Sequence, residues 1–334
     1  MRLEISLLIC FASAPIALAS QEPSAGAPAM PVLEQLQKAP LPSTEKEQAQ
    51  RALTRKDYLT VEQVLVRAIE ADAKAADLLT LAARVFLLDR NPGNAAIALK
   101  KAEKLRPLSE ADRFQLVMAY IGLKRGEWAR PELDRLAATS PQNQLYPYWL
   151  ARIDYDERNY QSSIARLRSV TSANPAFMRA WDNLGLSLEA MGQLDEAIDS
   201  YRRAVNLNRD QKPSSPWPPL NLGSLLTKLD RLKEAEAALG ESLGYGPNLA
   251  EAHYRLGVNL HRQGNDDSAI AELKQATKLD PTSAEPLYAL GQVYRGRGDI
   301  KASDEAFARY KALKKEKRGP PAPGLHSGNQ HLAP

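Results

Sequence analysis

The sequence contains very little cysteine, since Cys10 is the only one among 334 residues. It lies in an apolar stretch near the amino terminus, and no thiol occurs after it. Disulfide bonds, cysteine nucleophiles and cysteine-ligated zinc are therefore excluded for everything that follows Cys10. The stability of that part must come from the packing of its side chains.

Aromatic residues are also scarce, at 6% of the chain, which argues against a typical all-β protein. No glycine-rich phosphate-binding loop, G-x-S-x-G elbow or H-E-x-x-H motif occurs. Only four histidines are present, of which we expect His253 to pack between helices and His261 to lie on a surface. We therefore predict that the chain is not an enzyme and that it has no metal site and no cofactor.

Charge of one sign is not widespread either. The formal net charge is +4, and from Lys311 onward five basic residues face a single acidic one, so the rest of the chain sums to zero. A surface that binds nucleic acid needs basic residues spread over a larger area. We therefore do not expect a nucleic-acid partner.

The first 19 residues resemble a secretory signal, with Arg2 before an apolar stretch and a small-residue site at Ala17-Leu18-Ala19. We predict cleavage after Ala19 and export, to the periplasm or outside the cell, with no stable membrane insertion afterwards. The alternative is an uncleaved anchor. However, about 15 apolar residues interrupted by Pro15 fall short of the roughly 20 that a spanning helix needs.

What the sequence does contain is a pattern that recurs every 34 residues, with one insertion of four residues. Within each unit the eighth and twentieth places are mostly small, and the twenty-fourth place is large and apolar. The eighth place holds Ala83, Val117, Ala151, Gly185, Gly223, Gly257 and Gly291. The twentieth holds Ala95, Ala129, Ser163, Ala197, Ala235, Ala269 and Ser303. The twenty-fourth holds Leu99, Leu133, Leu167, Tyr201, Leu239, Leu273 and Phe307.

These columns predict pairs of antiparallel helices. Facing small residues let two helix backbones approach closely, and the large residue fills the space beside them. Gly192, Gly264 and Gly298 at the fifteenth place suit a left-handed residue between the helices, and a recurring proline at the thirty-second place ends the second helix. A single hairpin cannot bury both of its faces, so we expect the hairpins to stack on one another.

The unit from Trp181 to Tyr201 resembles the tetratricopeptide repeat family, with the W-x2-L-G pattern ending at Gly185 and the family's alanine at Ala197. The resemblance implies an all-α, right-handed superhelical solenoid of about eight antiparallel helix hairpins. The expected units are a degenerate 42–75, then 76–109, 110–143, 144–177, 178–215 with the insertion, 216–249, 250–283 and 284–317. Asp154 departs from the pattern, because an apolar residue is usual at its place.

The flanks and the insertion are rich in proline. We interpret residues 20–41 as an extended linker without fixed structure and residues 318–334 as a disordered tail. The four extra residues fall within 211–219, where we expect an extended loop that carries Trp217. Trp217 either packs on its own array, which we favour, or reaches toward a partner.

The resemblance also implies a ligand site, because ligands of this family lie in a concave groove lined by the first helices. The corresponding places hold aromatic, amide and guanidinium groups that suit an extended peptide, and an acidic segment is the preferred ligand. These groove residues are Tyr148, Trp149, Arg152, Tyr155, Asn183, Asn221, Tyr254, Arg255, Arg262, Tyr288, Gln292 and Arg295. The competing interpretation is an ordinary solvated face.

The predicted function is therefore a non-catalytic scaffold that binds a protein or peptide in this groove and acts in cell-envelope assembly. Two alternatives stay open. One is a structural protein that forms homo-oligomers by stacking its uncapped array ends. The other is an accessory subunit of an enzyme complex whose chemistry lies in a partner.

Overall fold

The computed structural model describes residues 29–72 and 75–318, and this part of the chain contains seventeen α-helices and no strand. The predicted signal, residues 1–19, lies outside the described residues. Of the predicted disordered tail, residues 318–334, Arg318 is instead the last residue of the final helix, and the rest lies outside the described residues. The described residues divide into two compact units, 29–193 and 194–318.

In the unit 29–193 the helices follow the 34-residue register from the first predicted repeat onward. They are α1 (Ala29–Lys38), α2 (Ser43–Thr54), α3 (Tyr58–Ala71), α4 (Ala76–Leu88), α5 (Pro92–Leu105), α6 (Glu110–Gly122), α7 (Gly126–Thr139), α8 (Leu145–Asp156), α9 (Tyr160–Ala173) and α10 (Met178–Ala190). Helices α2 to α9 form four successive hairpins. Each hairpin packs on the next through consecutive helices, as expected of a repeat array.

The unit 194–318 begins with α11 (Leu194–Arg209) and continues with three hairpins. Its other helices are α12 (Trp217–Lys228), α13 (Leu232–Tyr245), α14 (Ala250–Arg262), α15 (Asp266–Leu279), α16 (Glu285–Gly296) and α17 (Ile300–Arg318). In the part of the chain that the structure describes, no helix is both long enough and apolar enough to cross a bilayer.

Helix α1 corrects the interpretation of residues 20–41 as a linker without fixed structure. Val32 and Leu36, four residues apart on this helix, are buried and belong to one apolar cluster with Ala49 and Leu53 of α2. A spacing of four places both side chains on one face of the helix. The Pro/Ala-rich composition hid this apolar face, which covers the first hairpin.

The eighth place is small because two helix backbones meet there. A Cβ built on Gly257 would lie 2.7 Å from Cγ of Leu273 and 3.2 Å from the carbonyl oxygen of Ala269. A Cβ on Gly223 would lie 2.6 Å from Cγ of Leu239. Real Cβ atoms do not approach other atoms this closely, so the prediction of close backbone contact is confirmed in these hairpins.

The fifteenth place is left-handed in every repeat, whether or not it is a glycine. Gly192, Gly264 and Gly298 have φ between +75° and +79°, which confirms the prediction for them. Five other residues at this place also have positive φ, between +57° and +63°: Lys56, Arg90, Lys124, Arg158 and Asp230. An L-residue adopts this conformation at a cost of about 1 kcal/mol. The turn geometry is therefore imposed by the packing of the two helices.

Trp217 does not lie in an extended loop, because it is the first residue of α12. Its side chain is buried in a cluster with Leu220, Leu239 and Ala252, so the interpretation that it packs on its own array is confirmed. The preceding loop is fastened by Asn208, whose Nδ2 donates to the Ser215 carbonyl at 2.8 Å. Asn208 Oδ1 accepts from the Ser215 amide at 2.7 Å.

Asp154 is buried in α8 and compensates its charge with two arginines from neighbouring helices. Arg130 of α7 lies 2.9 Å from one carboxylate oxygen, and Arg166 of α9 donates to the other at 2.8 Å. A buried carboxylate is tolerated only when it is paired and hydrogen-bonded. Arg130 also pairs with Glu157 at 2.8 Å, so the departure from the apolar pattern at this place is a four-residue ion network.

Candidate functional site

The predicted groove residues of α8 and α10 form a buried polar and aromatic cluster. Tyr148, Trp149, Arg152 and Asn183 are buried, with at most 7% of their surface exposed, which corrects the expectation that they present open groove surface. Asn183 Nδ2 donates to Oη of Tyr148 at 3.3 Å, and the Arg152 guanidinium lies 4.7 Å from the centre of the Trp149 ring.

This cluster is buried because large side chains at the groove places of α8 and α10 fill the space between them. Tyr148 also packs on Phe177, with 4.9 Å between the ring centres. Burial raises the pKa of the Tyr148 phenol, and the nearby Arg152 only partly opposes this effect. Tyr155 at the end of α8 stays partly exposed and packs on Tyr160 at 5.4 Å between the ring centres. Of the predicted residues in the unit 29–193, Tyr155 alone keeps accessible surface.

The predicted residues of the unit 194–318 lie on α12, α14 and α16 and retain accessible surface. We call them the first-helix face, and they comprise Asn221, Tyr254, Arg255, Arg262, Tyr288, Gln292 and Arg295. The first four are partly or well exposed, and the three residues of α16 are all exposed. Tyr288 is 44% exposed. Because Tyr288, Gln292 and Arg295 are spaced by four and three residues, they lie on one side of α16.

Two of the three arginines on this face already have carboxylate partners. Arg255 Nε lies 2.7 Å from Glu251, and Arg262 lies 3.1 Å from Asp230 and also donates to the Thr227 carbonyl. Arg295 forms no ion pair with any described residue, and its guanidinium lies 4.9 Å from the centre of the Phe307 ring. The face therefore offers one guanidinium without a carboxylate, one in an exposed pair and one in a partly buried pair.

Burial raises the pKa of the Tyr254 phenol, and Arg255 opposes the shift. The guanidinium of Arg255 stands 5.2 Å from the centre of the Tyr254 ring. Tyr254 therefore stays a neutral hydrogen-bonding group with an apolar ring at physiological pH. Together with Gln292, such groups can pair with peptide backbone and pack on peptide side chains, but they supply no acid–base chemistry.

The two histidines of α14 play the roles expected of them. His253 Nε2 lies 3.0 Å from the carbonyl of Pro247, as Trp181 Nε1 lies 2.9 Å from the carbonyl of Pro175 two helix pairs earlier. His253 thus ties the helix to the preceding proline, which confirms its packing role. His261 is partly exposed and lies 2.7 Å from Asp266. Within residues 29–72 and 75–318, no three metal-ligating side chains come together.

The sequence reasoning missed the aromatic side chains of α17 that extend this surface. Tyr288 packs on Phe307 and on Tyr310, at 5.6 and 5.2 Å between ring centres. Phe307 was interpreted only as a filler at the twenty-fourth place, and Tyr310 was not considered. The available signal was an aromatic residue at the twenty-seventh place, where Ala204, Ser242 and Ala276 stand in the preceding repeats.

Stacked helix hairpins with small residues at their seams define an all-α helical-repeat solenoid. The chain is a tetratricopeptide repeat protein. A family model described as "Tetratricopeptide repeat" matches residues 148–216, and one described as "TPR repeat" matches residues 259–298. The expected family and fold class are thereby confirmed.

Among solved structures, the chain is similar to PilW, described as a widely conserved type IV pilus biogenesis factor. The TM-score is 0.56 at 20% identity, over 61% of this chain and 92% of PilW. At this identity the likeness concerns the fold alone.

Two curated relatives match part of the chain. The "Cytochrome c-type biogenesis protein CycH" of Bradyrhizobium diazoefficiens is 25% identical over 171 residues, which are 49% of this chain and 45% of CycH. The "Protein CTR9 homolog" of Arabidopsis thaliana is 24% identical over 205 residues, 59% of this chain and 18% of that protein. The chain therefore spans less than half the length of either relative.

Proposed function

We propose that this tetratricopeptide repeat protein is a non-catalytic scaffold that binds an extended segment of another protein along the first-helix face of α12, α14 and α16. The observation that carries the proposal is the accessible row of Tyr288, Gln292 and Arg295 on one side of α16. An aromatic ring, an amide and a guanidinium in a row match a peptide's apolar side chain, backbone and carboxylate.

The charge of the face favours an acidic segment. Arg295 has no carboxylate partner among the described residues, the pair of Arg262 is exposed, and the pair of Arg255 is partly buried. Exposed pairs contribute only about 0–1 kcal/mol, so a ligand carboxylate can replace Asp230 at little cost. Arg295 is therefore the expected anchor for a ligand carboxylate, with Arg255 and Arg262 as additional contacts.

The proposed setting is assembly in the cell envelope. The amino-terminal 19 residues have the pattern of a secretory signal, and PilW and CycH are described as pilus and cytochrome c-type biogenesis proteins. These names support a role in building protein assemblies. The export of this chain and the place where it acts belong to the proposal.

The test is capture of partners from an envelope fraction by the wild-type chain and by the triple variant Arg255→Glu, Arg262→Glu, Arg295→Glu. A matched control reverses three exposed lysines on the second helices, Lys274→Glu, Lys278→Glu and Lys301→Glu. We expect the first variant to lose its partners about tenfold or more and the control to keep them. Equal retention of partners by both variants, or equal loss by both, would show that the first-helix face is not the specific binding surface.

A further inference from the structure

The last hairpin, α16–α17, has a face that no described residue covers. At the twenty-fourth place the seven preceding residues are fully buried: Leu65, Leu99, Leu133, Leu167, Tyr201, Leu239 and Leu273. Phe307 at this place is partly exposed. At the twenty-seventh place the six residues from Ala102 to Ala276 are buried, whereas Tyr310 is partly exposed. We call Tyr288, Arg295, Phe307, Tyr310, Lys311 and Lys314 the open face.

The preceding hairpin shows what covers such a face. Leu273 of α15 belongs to one apolar cluster with Leu287, Leu290 and Val293, all of them buried residues of α16. A twelve-residue helix with apolar residues at i, i+3, i+6 and i+7 therefore lies on the hairpin α14–α15. The same geometry is available on α16–α17, where an incoming helix would meet Phe307 and Tyr310.

The open face is aromatic, with cations beside its rings. Arg295 lies 4.9 Å from the centre of the Phe307 ring, and Lys314 Nζ lies 5.8 Å from the centre of the Tyr310 ring and 3.1 Å from Glu285 of α16. Among the described residues, Arg295 and Lys311 have no carboxylate partner. Lys311 is exposed, one residue after Tyr310 and four after Phe307, and so lies on the same side of α17. A ligand for this face needs an apolar stripe between acidic residues.

We propose that the open face binds an amphipathic helix of a partner protein, with apolar residues at i, i+3 and i+7 and acidic residues beside them. This helix lies on α16–α17 as α16 lies on α14–α15. Aromatic residues suit such a role, because they bury a large area and give up little side-chain freedom on binding. The open face shares Tyr288 and Arg295 with the first-helix face and extends it onto α17, where it takes a helix, not an extended segment.

A second copy of the chain does not match this surface. Two open faces placed together would bring Arg295, Lys311 and Lys314 of both copies into contact, and like charges across an interface are strongly unfavourable. Stacking on the other end of the described chain is hindered as well, because α1 covers the first hairpin with Val32 and Leu36.

The chain's own residues 319–334 do not match it either. This segment contains no acidic residue, and Pro320, Pro321 and Pro323 stand near its start. Proline in a helix interior removes a backbone hydrogen bond and clashes with the preceding turn. The chemistry of the open face therefore points to a helix from another protein.

The test uses a stapled 14-residue probe peptide with leucine at i, i+3 and i+7 and glutamate at the flanking positions. Its affinity for the full chain is measured by fluorescence anisotropy at low and at high salt. We expect Tyr310→Ala and Lys311→Glu each to weaken binding about tenfold and added salt to weaken it further. Arg309→Glu is the matched control, because this exposed residue lies on the opposite side of α17 and its change of charge is identical. Binding by this control should be unchanged.

Several outcomes would overturn the proposal. Equal binding of a probe with lysine in place of glutamate would show that the open face does not select acidic residues. Unchanged binding by Tyr310→Ala would show that its aromatic side chains do not hold the ligand. Tighter binding by a chain that ends at residue 318 would assign the face to residues 319–334. A dimer in sedimentation equilibrium that Lys311→Glu strengthens would assign it to a second copy. Binding to anionic lipid vesicles in preference to the probe would assign it to a membrane.

Circular dichroism and the thermal midpoint establish that each variant is folded. If Tyr310→Ala is unstable, the comparison of Lys311→Glu with Arg309→Glu is sufficient to test binding at the open face, since both residues are exposed. The double variant Arg255→Glu, Arg262→Glu separates the two proposals. It should weaken capture of the extended segment and leave probe binding unchanged.

Discussion

At the scale of single residues, two glycines in helices of the unit 194–318 have opposite surroundings. A Cβ on Gly257 would lie 2.7 Å from Leu273 and 3.2 Å from a backbone oxygen, whereas a Cβ on Gly240 of α13 would meet nothing within 4 Å. Glycine lowers the stability of a helix interior. This loss is offset only at a place where a larger side chain would not fit. Gly257 serves the packing, and Gly240 does not.

We therefore expect Gly257→Ala and Gly240→Ala to change stability in opposite directions. Gly257→Ala should lower the free energy of unfolding by about 1–3 kcal/mol, since Leu273 must leave its position. Gly240→Ala should raise it by about 0.5–1 kcal/mol through helix propensity. Urea denaturation followed by circular dichroism measures both changes. A loss of stability in both variants would show that the two sites do not differ as described.

A carboxylate on α3 should make stability depend on pH. Burial raises the pKa of Glu62 to about 6, the charge of Asp89 adds to this effect, and Oε1 of Glu62 has no hydrogen-bond partner among the described residues. Because the folded state holds this proton more tightly than the unfolded state, stability falls as the pH rises from about 4.5 to about 6. Above this window the ionised group costs folding free energy.

Glu62→Gln should remove that cost. Near neutral pH we expect the variant to be more stable by roughly 0.5 kcal/mol, a small gain because much of the group is still solvated. Below about pH 4.5 the gain should vanish, since the wild-type carboxyl is then protonated in both states. Urea denaturation at the two pH values measures this, with the exposed Glu70→Gln as control. A gain that is the same at both pH values would contradict the assignment.

The residues of the candidate site were predictable in identity but not in exposure. Their places in the repeat follow from the 34-residue register, yet Tyr148 and Asn183 are buried while Tyr288 is open. The exposure of a residue depends on the side chains of the next hairpin. The residues that recur at one place of the repeat do not tell which side chains these are. The partners of Arg255 and Arg262 were also missed, because an ion pair depends on rotamers as well as on spacing.

At the scale of elements, α1 shows how composition can hide a helix. Three prolines and several alanines between residues 20 and 31 are typical of an extended linker, but Val32 and Leu36 form an apolar pair at helical spacing. The helix is held by packing on α2 and α4 more than by its own propensity. An end of an array needs such a cover, since its first hairpin would otherwise expose apolar surface.

We expect Leu36→Ala to destabilise the first hairpins. The side chain is fully buried, and the loss of its packing should cost about 2–5 kcal/mol of local stability. Hydrogen exchange of α2 to α4 should accelerate accordingly, because α1 packs on this part of the array. The exposed Glu34→Ala on the same helix is the control and should leave these rates unchanged. Unchanged exchange in Leu36→Ala would mean that α1 does not stabilise the array.

At the scale of the whole molecule, the fold was predictable because a repeat array reports the same constraint many times. One small residue at an eighth place proves nothing, but a column of them at a fixed period leaves only stacked helix pairs as a solution. The exposed surface is less predictable, because the exposure of each hairpin depends on the hairpin that follows it. In the described chain no hairpin follows α16–α17. The open aromatic face of Phe307 and Tyr310 could therefore be recognised only by comparing exposure along the array.

The same architecture predicts how far the destabilising effect of a substitution extends along the array. Packing in the described chain runs mainly between consecutive helices, so a defect should loosen the adjacent hairpins and fade beyond them. Hydrogen exchange of Gly257→Ala should therefore accelerate in α12 to α17 by about tenfold or more, while α2 to α5 keep the wild-type rates. Gly240→Ala supplies the control, with slower or unchanged exchange in α13. An equal acceleration from α2 to α17 would mean that the chain opens as one cooperative body, and the description by neighbouring hairpins would then be wrong.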